Sequence, residues 1–342
     1  MTTDISTQLS IEQVADLSAR IIQEVEKAVI GKHTVLNQMM AAFLSSGGHI
    51  LLEDYPGLAK TLIANSFAAA LGLEFNRIQF TPDLLPGDIT GGYVFDRNQN
   101  QFSLREGPIF THILLADEIN RASPKTQSAL LEAMQEYQVT LEGETLPLPH
   151  PFIVIATQNP IEYEGTFPLP EAQLDRFMIK LSIGYPKPEE EDEILRRRAD
   201  RKQDVIALQP MITPALFLAM RAVVEDVFVD ADVRRYMVDL VGSTRNHRQV
   251  MVGASPRGSL ALLKLARAWA VIQGRNYVIP DDIRQFILPV LGHRIILDPS
   301  LWGSKKSEKT VIDEVVKSVP VPVLSLTQTV HTPPETVVAD EA

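Results

Sequence analysis

The stretch DYPGLAKT, residues 54–61, decides how the chain folds, because it joins a short apolar run to an alanine-rich segment. The run at residues 49–52 predicts a strand, and residues 60–71 predict a helix. Backbone N–H groups and the helix dipole at such a junction hold polyphosphate well. In this arrangement the Lys60 ammonium would reach the terminal phosphates, and the Thr61 hydroxyl would ligate magnesium.

This phosphate-binding pattern departs twice from its strict form, which places glycine at positions 54 and 59. Ala59 is a mild change, because a small residue still lets the backbone approach a ligand. Asp54 brings a negative charge near an anion site, although aspartate tolerates left-handed backbone angles better than most residues. The alternative, from this segment alone, is an ordinary turn before a helix, with Lys60 merely exposed.

A second motif, HILLADE at residues 112–118, predicts a buried strand that ends in two adjacent acids. Asp117 would hold the magnesium shell, and Glu118 would polarise the attacking water. The alternative is a strand that simply ends in a charged loop. Together with the phosphate-binding segment, the motif predicts a P-loop NTPase, and Glu118 favours hydrolysis over binding alone.

The remaining strand signals predict a parallel sheet in an α/β fold. They are short apolar runs without strict alternation, which is typical of strands that helices cover on both faces. Two hairpins are predicted as insertions, one across residues 91–104 within a long non-helical stretch, 81–108, and one across 138–148. The predicted sheet strands after the first are residues 75–80, 113–116, 152–157 and 178–183.

The chain divides into three predicted regions. Residues 1–184 form an α/β nucleotide-binding core, and residues 185–300 form a helical domain that begins at the hinge-like YPKP segment, 185–188. Residues 301–342 show no periodicity over most of their length and predict a mobile C-terminal tail. The predicted helices outside the sheet region are residues 10–30, 34–46, 190–199, 214–227, 232–244, 256–273 and 280–291.

Composition narrows the function classes. A net charge of −11, from 32 basic and 43 acidic residues, counts against a protein that coats nucleic acid, because phosphate neutralisation dominates that affinity. The absence of cysteine excludes disulfides, zinc–thiolate sites and cysteine nucleophiles. The first twenty residues lack an apolar core and no apolar run reaches bilayer length, so we expect no signal peptide, no membrane insertion and a cytoplasmic location.

Five segments together resemble the MoxR family of AAA+ ATPases, and they lie in that family's order. The resemblance implies an AAA+ P-loop NTPase core, with a parallel sheet flanked by helices and hairpin inserts, followed by a small all-α lid domain. It also implies ATP and Mg²⁺ as cofactors. The segments are PGLAKT (56–61), LLADEINRASPKTQSALLEAMQE (114–136), ATQNP (156–160), EGTFPLPEAQLDRF (164–177) and GASPRG (253–258).

The resemblance assigns roles to residues outside the two motifs. Asn159 resembles sensor 1, which positions the lytic water, although Asn-Pro is also a common turn dipeptide. Arg176 resembles the arginine finger that reaches a neighbouring subunit's site, the alternative being a surface ion pair with Asp175 or Glu171. Arg257 resembles sensor 2, which would touch ATP from the same subunit, the alternative being an ordinary first-turn arginine.

The resemblance also describes how the nucleotide would be held. Ile30 and Gly31 match the segment that lies against the adenine, although Gly-Lys after a helix is also a routine C-cap. The phosphate loop would bind through a continuous set of residues. These residues are Pro56, Gly57, Leu58, Ala59, Lys60 and Thr61.

At the level of the whole protein, the resemblance implies an ATP-driven, chaperone-like remodeller that works as a ring of identical subunits, six in number. The implied partners are a von Willebrand factor A domain protein and a client protein complex, and metal cofactor insertion is a related role. The hairpin aromatics Tyr93, Phe95 and Phe102 would face the pore or a client, the alternative being that they pack within the hairpin itself. Two alternatives stay open, a nucleotide-gated scaffold that turns over weakly because of Asp54, and a DNA-handling, helicase-like ring.

Overall fold

Two helices precede the sheet, α1 (Ile11–Val25) and α2 (His33–Leu44). A capping box starts α1, because the Gln13 N–H donates to Ser10 Oγ and the Ser10 N–H donates to Gln13 Oε1. The helix ends before the predicted residue 30, and the chain continues in tighter turns. The computed structural model describes residues 9–97, 100–160, 166–301 and 307–323.

The predicted α/β core is confirmed. Its strands and helices alternate along the chain, with two hairpins inserted between sheet strands, so the parallel strands are joined by crossovers. In chain order the elements are β1 (Ile50–Glu53), α3 (Lys60–Leu71), β2 (Phe75–Gln79), α4 (Pro86–Thr90), β3 (Gly91–Asp96), β4 (Gln101–Glu106), β5 (Ile113–Asp117), α5 (Pro124–Glu136), β6 (Gln138–Leu141), β7 (Glu144–Pro147), β8 (Ile153–Gln158), α6 (Glu171–Leu174) and β9 (Ile179–Leu181).

The central sheet has five parallel strands in the order β2-β5-β8-β1-β9. Successive residues of β5 face opposite sides, so Ile113 and Leu115 join one apolar core while Leu114 and Ala116 join the other. Because all five strands run the same way, their carboxyl ends form one edge of the sheet. Functional side chains that follow β1, β5 and β8 therefore meet at that edge.

The two predicted hairpins are present as β3–β4 and β6–β7, each an antiparallel pair. The expectation that residues 81–108 hold no helix is wrong, because α4 lies within them. Pro86 presets the backbone angle of its first turn, and the Asp88 carboxylate accepts the Leu85 N–H at 2.9 Å.

The region after residue 185 is helical as predicted, with one small two-stranded sheet. Its apolar faces continue the core that covers one side of the central sheet. The elements are α7 (Pro188–Arg201), α8 (Pro214–Glu225), α9 (Ala231–Arg245), β10 (Val250–Val252), α10 (Pro256–Ile272), α11 (Pro280–Arg284), α12 (Ile287–Leu291), β11 (Ile296–Leu297) and α13 (Glu308–Ser318).

The single helix predicted over residues 280–291 is wrong, because the chain breaks between α11 and α12. Pro289 has no N–H to give to the carbonyl of Gln285, four residues earlier. That carbonyl instead accepts the Gln38 Nε2–H of α2 at 2.9 Å. The break therefore anchors the helical region to the helices before the sheet.

The mobile tail predicted from residue 301 needs a correction, because α13 is a packed helix. Val311, Ile312 and Val315 are buried, and α13 packs against α9 and α12. These apolar residues lie at helical spacing, so their burial stabilises the helix. Residues 302–306 and 324–342 of the predicted tail lie outside the described residues. Within the described ranges, no helix combines the length and the apolar character needed to span a bilayer.

Candidate nucleotide site

The phosphate-binding segment forms the turn between β1 and α3. Gly57 and Ala59 have positive φ values, 81° and 56°, and Ala59 directly precedes the first residue of α3. A methyl group added at Gly57 would meet no atom within 4 Å, so the loop has open space beside it. The Lys60 Nζ donates to the Asp54 carbonyl at 2.6 Å and to the Tyr55 carbonyl at 3.3 Å.

Asp54 is buried, with 6% of its surface exposed, and its carboxylate is held from outside the loop. Its Oδ1 accepts the Ser182 hydroxyl at 2.9 Å and the Gly184 N–H at 3.3 Å, and its Oδ2 accepts the Ile183 N–H. The loop's positive φ values are at Gly57 and Ala59, so Asp54 does not use the left-handed angles that aspartate tolerates. Three donors therefore compensate a charge that the sequence places beside an anion site.

Asp117 ends β5 with both carboxylate oxygens bonded. Its Oδ1 accepts the Thr157 hydroxyl at 2.6 Å, and its Oδ2 accepts Arg77 Nη2 at 2.6 Å and Arg77 Nε at 3.2 Å. The Thr157 hydroxyl also accepts the Glu118 N–H at 2.8 Å. One side chain on β8 thus fixes the positions of both acids.

Glu118 has a left-handed backbone, with φ of 55°, and this turns its side chain out of the strand direction. Its Oε2 accepts the Gln79 Nε2–H at 2.7 Å and the Arg121 Nη1–H at 3.0 Å. Gln79 lies beside Asp117 in the register of β2 and β5. The carboxylate that sequence analysis assigns to water activation is therefore oriented by two donors.

Asn159 follows β8, which lies between β1 and β5 in the sheet. It is buried, and its position at the carboxyl edge puts it between the phosphate loop and the two acids. Ile30 and Gly31 lie before α2, where Gly31 has φ of 74° and closely approaches the Glu190 side chain of α7. The neighbouring Lys32 Nζ donates to the Tyr185 carbonyl at 2.9 Å.

Arg176 and Arg257 lie elsewhere, at the amino edge of the sheet. Both line a cavity of about 280 Å³ together with Gly47 and His49, which precede β1. The phosphate loop follows β1, so the four residues of that strand, ~13 Å in length, separate the two sites. The structure therefore does not bring Arg257 to the phosphate loop of its own subunit, where the resemblance would place it.

Asp175 organises the arginine cavity. Its Oδ1 accepts Arg294 Nε at 2.8 Å, and its Oδ2 accepts the Ser255 hydroxyl at 3.0 Å and lies 3.7 Å from Arg257 Nη1. Burial lowers the pKa of Arg294, and the Asp175 carboxylate opposes that effect. Arg176 instead donates through Nη1 to the Leu131 carbonyl at 2.6 Å. Asp175, one of the two acids considered as an ion-pair partner of Arg176, thus pairs with Arg257 and Arg294.

Comparison with known proteins agrees with this architecture. Residues 49–179 match the ATPase family associated with various cellular activities (AAA), and residues 242–315 match the AAA lid domain. The uncharacterised protein YeaC of Bacillus subtilis is 45% identical over 91% of this chain and 97% of its own length. Chaperone MoxR1 of Mycobacterium tuberculosis is 43% identical over 89% of this chain and 82% of its own. This chain belongs to the MoxR family of AAA+ ATPases.

A solved structure extends the MoxR-family comparison to three dimensions. A protein of Cytophaga hutchinsonii, provisionally described as an ATPase, has a TM-score of 0.85 and 38% identity over 92% of this chain and 97% of its own. The lid match extends to residue 315, so it includes most of α13. This agrees with the packing of that helix and with the correction to the predicted tail.

The MoxR-family site has a donor set that fits a magnesium nucleotide. Thr61 and Asp117 offer hydroxyl and carboxylate oxygens, the hard ligands that Mg²⁺ takes alongside phosphate oxygens and water. Lys60 at the start of α3 offers a cation for the phosphates. The individual roles of these residues stay predictions.

Sequence reasoning missed Thr157, Arg77 and Gln79 in this MoxR-family site. Their side chains reach the acids because β2 and β8 flank β5. Thr157 carries a usable signal, since it precedes Asn159 in the ATQNP segment at the end of a predicted strand. For Arg77 and Gln79 the sequence shows only that they alternate along a predicted strand. Alternation does not indicate which strand lies beside theirs in the sheet.

Proposed function

We propose that this MoxR-family protein hydrolyses ATP in a ring of identical subunits and uses the reaction to remodel, mature or activate a partner protein complex. One observation carries the hydrolysis part. The Glu118 carboxylate lies at the carboxyl edge of the sheet, oriented by Gln79 and Arg121, beside an acid that is itself fixed by Thr157. A binding module has no need of a second oriented acid at that point.

Each residue of the site has a distinct task in this proposal. Lys60 and the backbone of residues 56–61 bind the phosphates, and Glu118 together with Asn159 orients the attacking water. Thr61 and Asp117 would hold a magnesium ion, which would supply positive charge to the phosphate oxygens when the nucleotide is bound. Arg77 must release the Asp117 Oδ2 for that role, because the two are bonded at 2.6 Å.

The position of the arginine cavity supports the ring. Arg257 is exposed and Arg176 is half-buried beside it at the edge opposite the phosphate loop, so a head-to-tail neighbour would receive both at its own nucleotide. Such a heterologous contact gives a closed ring when its rotation is a whole fraction of a turn, and the family resemblance implies six subunits. Both arginines would then stabilise charge on the neighbour's γ-phosphate.

The partner-directed part of the proposal rests on an exposed hairpin and on relatives. Val94, Phe95 and Phe102 are apolar and exposed on β3–β4, with Phe102 at 69% exposure, which suits contact with a client. A 43% identical relative is named a chaperone. We extend that role to this protein, with a von Willebrand factor A domain protein as the proposed partner and metal cofactor insertion as one possible task. A cytoplasmic location and the absence of nucleic acid from its partners stay predictions from sequence.

Two measurements on the wild type and on Glu118→Gln test the proposal. One is the rate of ATP hydrolysis, and the other is the native mass with and without ATP. We expect the Gln variant to lose on the order of 10²-fold or more in rate, because an oriented base contributes that much, while it retains an ATP-bound ring. Assembly on ATP without hydrolysis by the wild type would contradict the motor and support the scaffold alternative. Salt-dependent DNA binding would instead support the helicase-like alternative.

A further inference from the structure

We propose that Asp54 is a positioning residue that couples the nucleotide at the phosphate loop to residues 182–187, and through them to the helical region. These residues, called the hinge from here on, join β9 to α7 and include most of the predicted YPKP segment. The coupling rests on the proposed binding of ATP at the loop. The strict phosphate-loop pattern has glycine at this position, and glycine offers no side chain with which to make such a connection.

The first step is the contact between Asp54 and the hinge. Both carboxylate oxygens are used, accepting the Ser182 hydroxyl and the N–H groups of Ile183 and Gly184. Hydrogen bonds to an ionised acceptor are short and strong, and this group is buried, so the contact is stiff. A displacement of the Asp54 backbone is therefore passed to the hinge rather than absorbed by the side chain.

The second step is the contact between Asp54 and the nucleotide-binding lysine. Lys60 Nζ donates to the main-chain carbonyl of Asp54 at 2.6 Å. Phosphate groups bound at the loop would draw the same ammonium away from that carbonyl. One residue thus contacts the phosphate-binding lysine through its main chain and the hinge through its side chain.

The hinge makes further contacts around the same place. The rings of Tyr55 and Tyr185 lie with their centroids 6.0 Å apart, and the Tyr185 carbonyl accepts Lys32 Nζ at 2.9 Å. Lys32 Nζ also lies 4.0 Å from Glu190 Oε2 in the first turn of α7. The loop, the segment assigned to adenine and the first lid helix therefore converge on residues 182–187.

The coupling is tested by hydrogen–deuterium exchange of the full chain. Exchange is measured with and without the Mg²⁺ complex of a non-hydrolysable ATP analogue. In the wild type we expect the analogue to change exchange across residues 182–190 by about fivefold or more. Asp54→Asn keeps one acceptor for the Ile183 N–H but turns an amide nitrogen toward the Gly184 N–H. We expect this variant to bind the analogue within about threefold of wild type and to lose most of the change at 182–190.

Glu53→Gln is the matched control. Glu53 is the preceding residue, and its carboxylate also joins β1 to β9, through Lys180 Nζ at 2.8 Å, but it does not contact the hinge backbone. We expect its response at 182–190 to equal that of the wild type. Ser182→Ala, which removes one donor and leaves the loop intact, is expected to weaken the response and decides the matter if Asp54→Asn fails to fold or to bind.

The outcomes separate this coupling from the proposed function. A wild type that does not bind the analogue contradicts ATP binding itself. A wild type that binds with no change at 182–190, or an Asp54→Asn variant that binds and responds like the wild type, overturns the coupling alone. If Asp54→Asn cannot be measured, Ser182→Ala decides. An exchange response at 182–190 that is as large in Ser182→Ala as in the wild type also overturns the coupling.

Discussion

His49 immediately precedes β1, is buried with 3% of its surface exposed, and has both ring nitrogens bonded. Its Nε2 lies 3.0 Å from the Met134 carbonyl, and its Nδ1 accepts the Val154 N–H at 3.0 Å. This arrangement requires a neutral ring with its proton on Nε2. Burial lowers the pKa of His49 from 6.5 to about 4, with the nearby Arg221 adding to the effect.

Acidification is expected to destabilise the protein through His49. Between pH 6.5 and pH 4 the unfolded chain binds a proton at this residue that the folded chain does not, so the free energy of unfolding falls as pH falls. The contribution is on the order of 3 kcal/mol across that window, because one pKa unit corresponds to about 1.4 kcal/mol. Chemical denaturation at a series of pH values measures it.

His49→Gln is the comparison that isolates this residue. Glutamine can occupy the two hydrogen-bonding positions without titrating, so its unfolding free energy should depend less steeply on pH in that window. Some dependence should remain, because burial also lowers the pKa of His293 well below its usual value. Identical pH slopes for the two proteins would contradict the assigned neutral state of His49.

Sequence reasoning at the residue scale succeeded where neighbours in the chain are also neighbours in the fold. The phosphate loop and the adjacent acids Asp117 and Glu118 are local motifs, and the parallel sheet brings their ends to one edge. Asp54 shows where this fails, because its partners Ile183 and Gly184 lie far along the chain. No spacing rule near residue 54 indicates that β9 lies beside β1.

Among the secondary-structure elements, α13 shows how packing overrides a composition-based expectation. The terminal region mixes Val, Pro and Thr over much of its length, but residues 308–318 carry apolar side chains at helical spacing. Ile312 is 1% exposed and packs into the core that the helical region shares with the sheet. The break before α12 also depends on a distant residue. Pro289 has no N–H to donate to the Gln285 carbonyl, and Gln38 of α2 donates to it instead.

Truncation of one α13 side chain tests this packing. We expect Ile312→Ala to lower the free energy of unfolding by about 2–4 kcal/mol, because it removes buried methyl groups and leaves a cavity. Lys309→Ala, on the exposed face of the same helix, should change it by less than about 0.5 kcal/mol. Equal, small effects in urea denaturation would show that α13 does not pack on the core.

The whole molecule has two chemically different edges. The carboxyl edge of the sheet carries the phosphate loop and the acids, and the amino edge carries Arg176 and Arg257 around Asp175. Sequence analysis placed Arg176 at a neighbour's site but assigned Arg257 to the same subunit's ATP. The structure places Arg257 beside Arg176 instead, because the side of the sheet on which α10 begins depends on how the helical region packs, and the GASPRG segment does not contain this information.

The central claim is that each nucleotide is completed by two subunits, one supplying Lys60 and the next supplying Arg257. Lys60→Ala and Arg257→Ala should each hydrolyse ATP at a small fraction of the wild-type rate. Mixed in equal amounts before assembly, they should regain activity, because about a quarter of the head-to-tail interfaces then join an intact loop to an intact arginine. Arg176→Ala in place of Arg257→Ala should behave in the same way.

The matched control mixes Lys60→Ala with Glu118→Gln, whose changed residues lie at the same edge of one subunit, so no intact site can form. The decisive measurement is therefore the ATPase rate of the Lys60→Ala and Arg257→Ala mixture, with mixed rings verified by native mass. We predict recovery well above the control mixture. A mixture that assembles and remains as inactive as the control would place Arg257 at its own subunit's nucleotide and contradict the account.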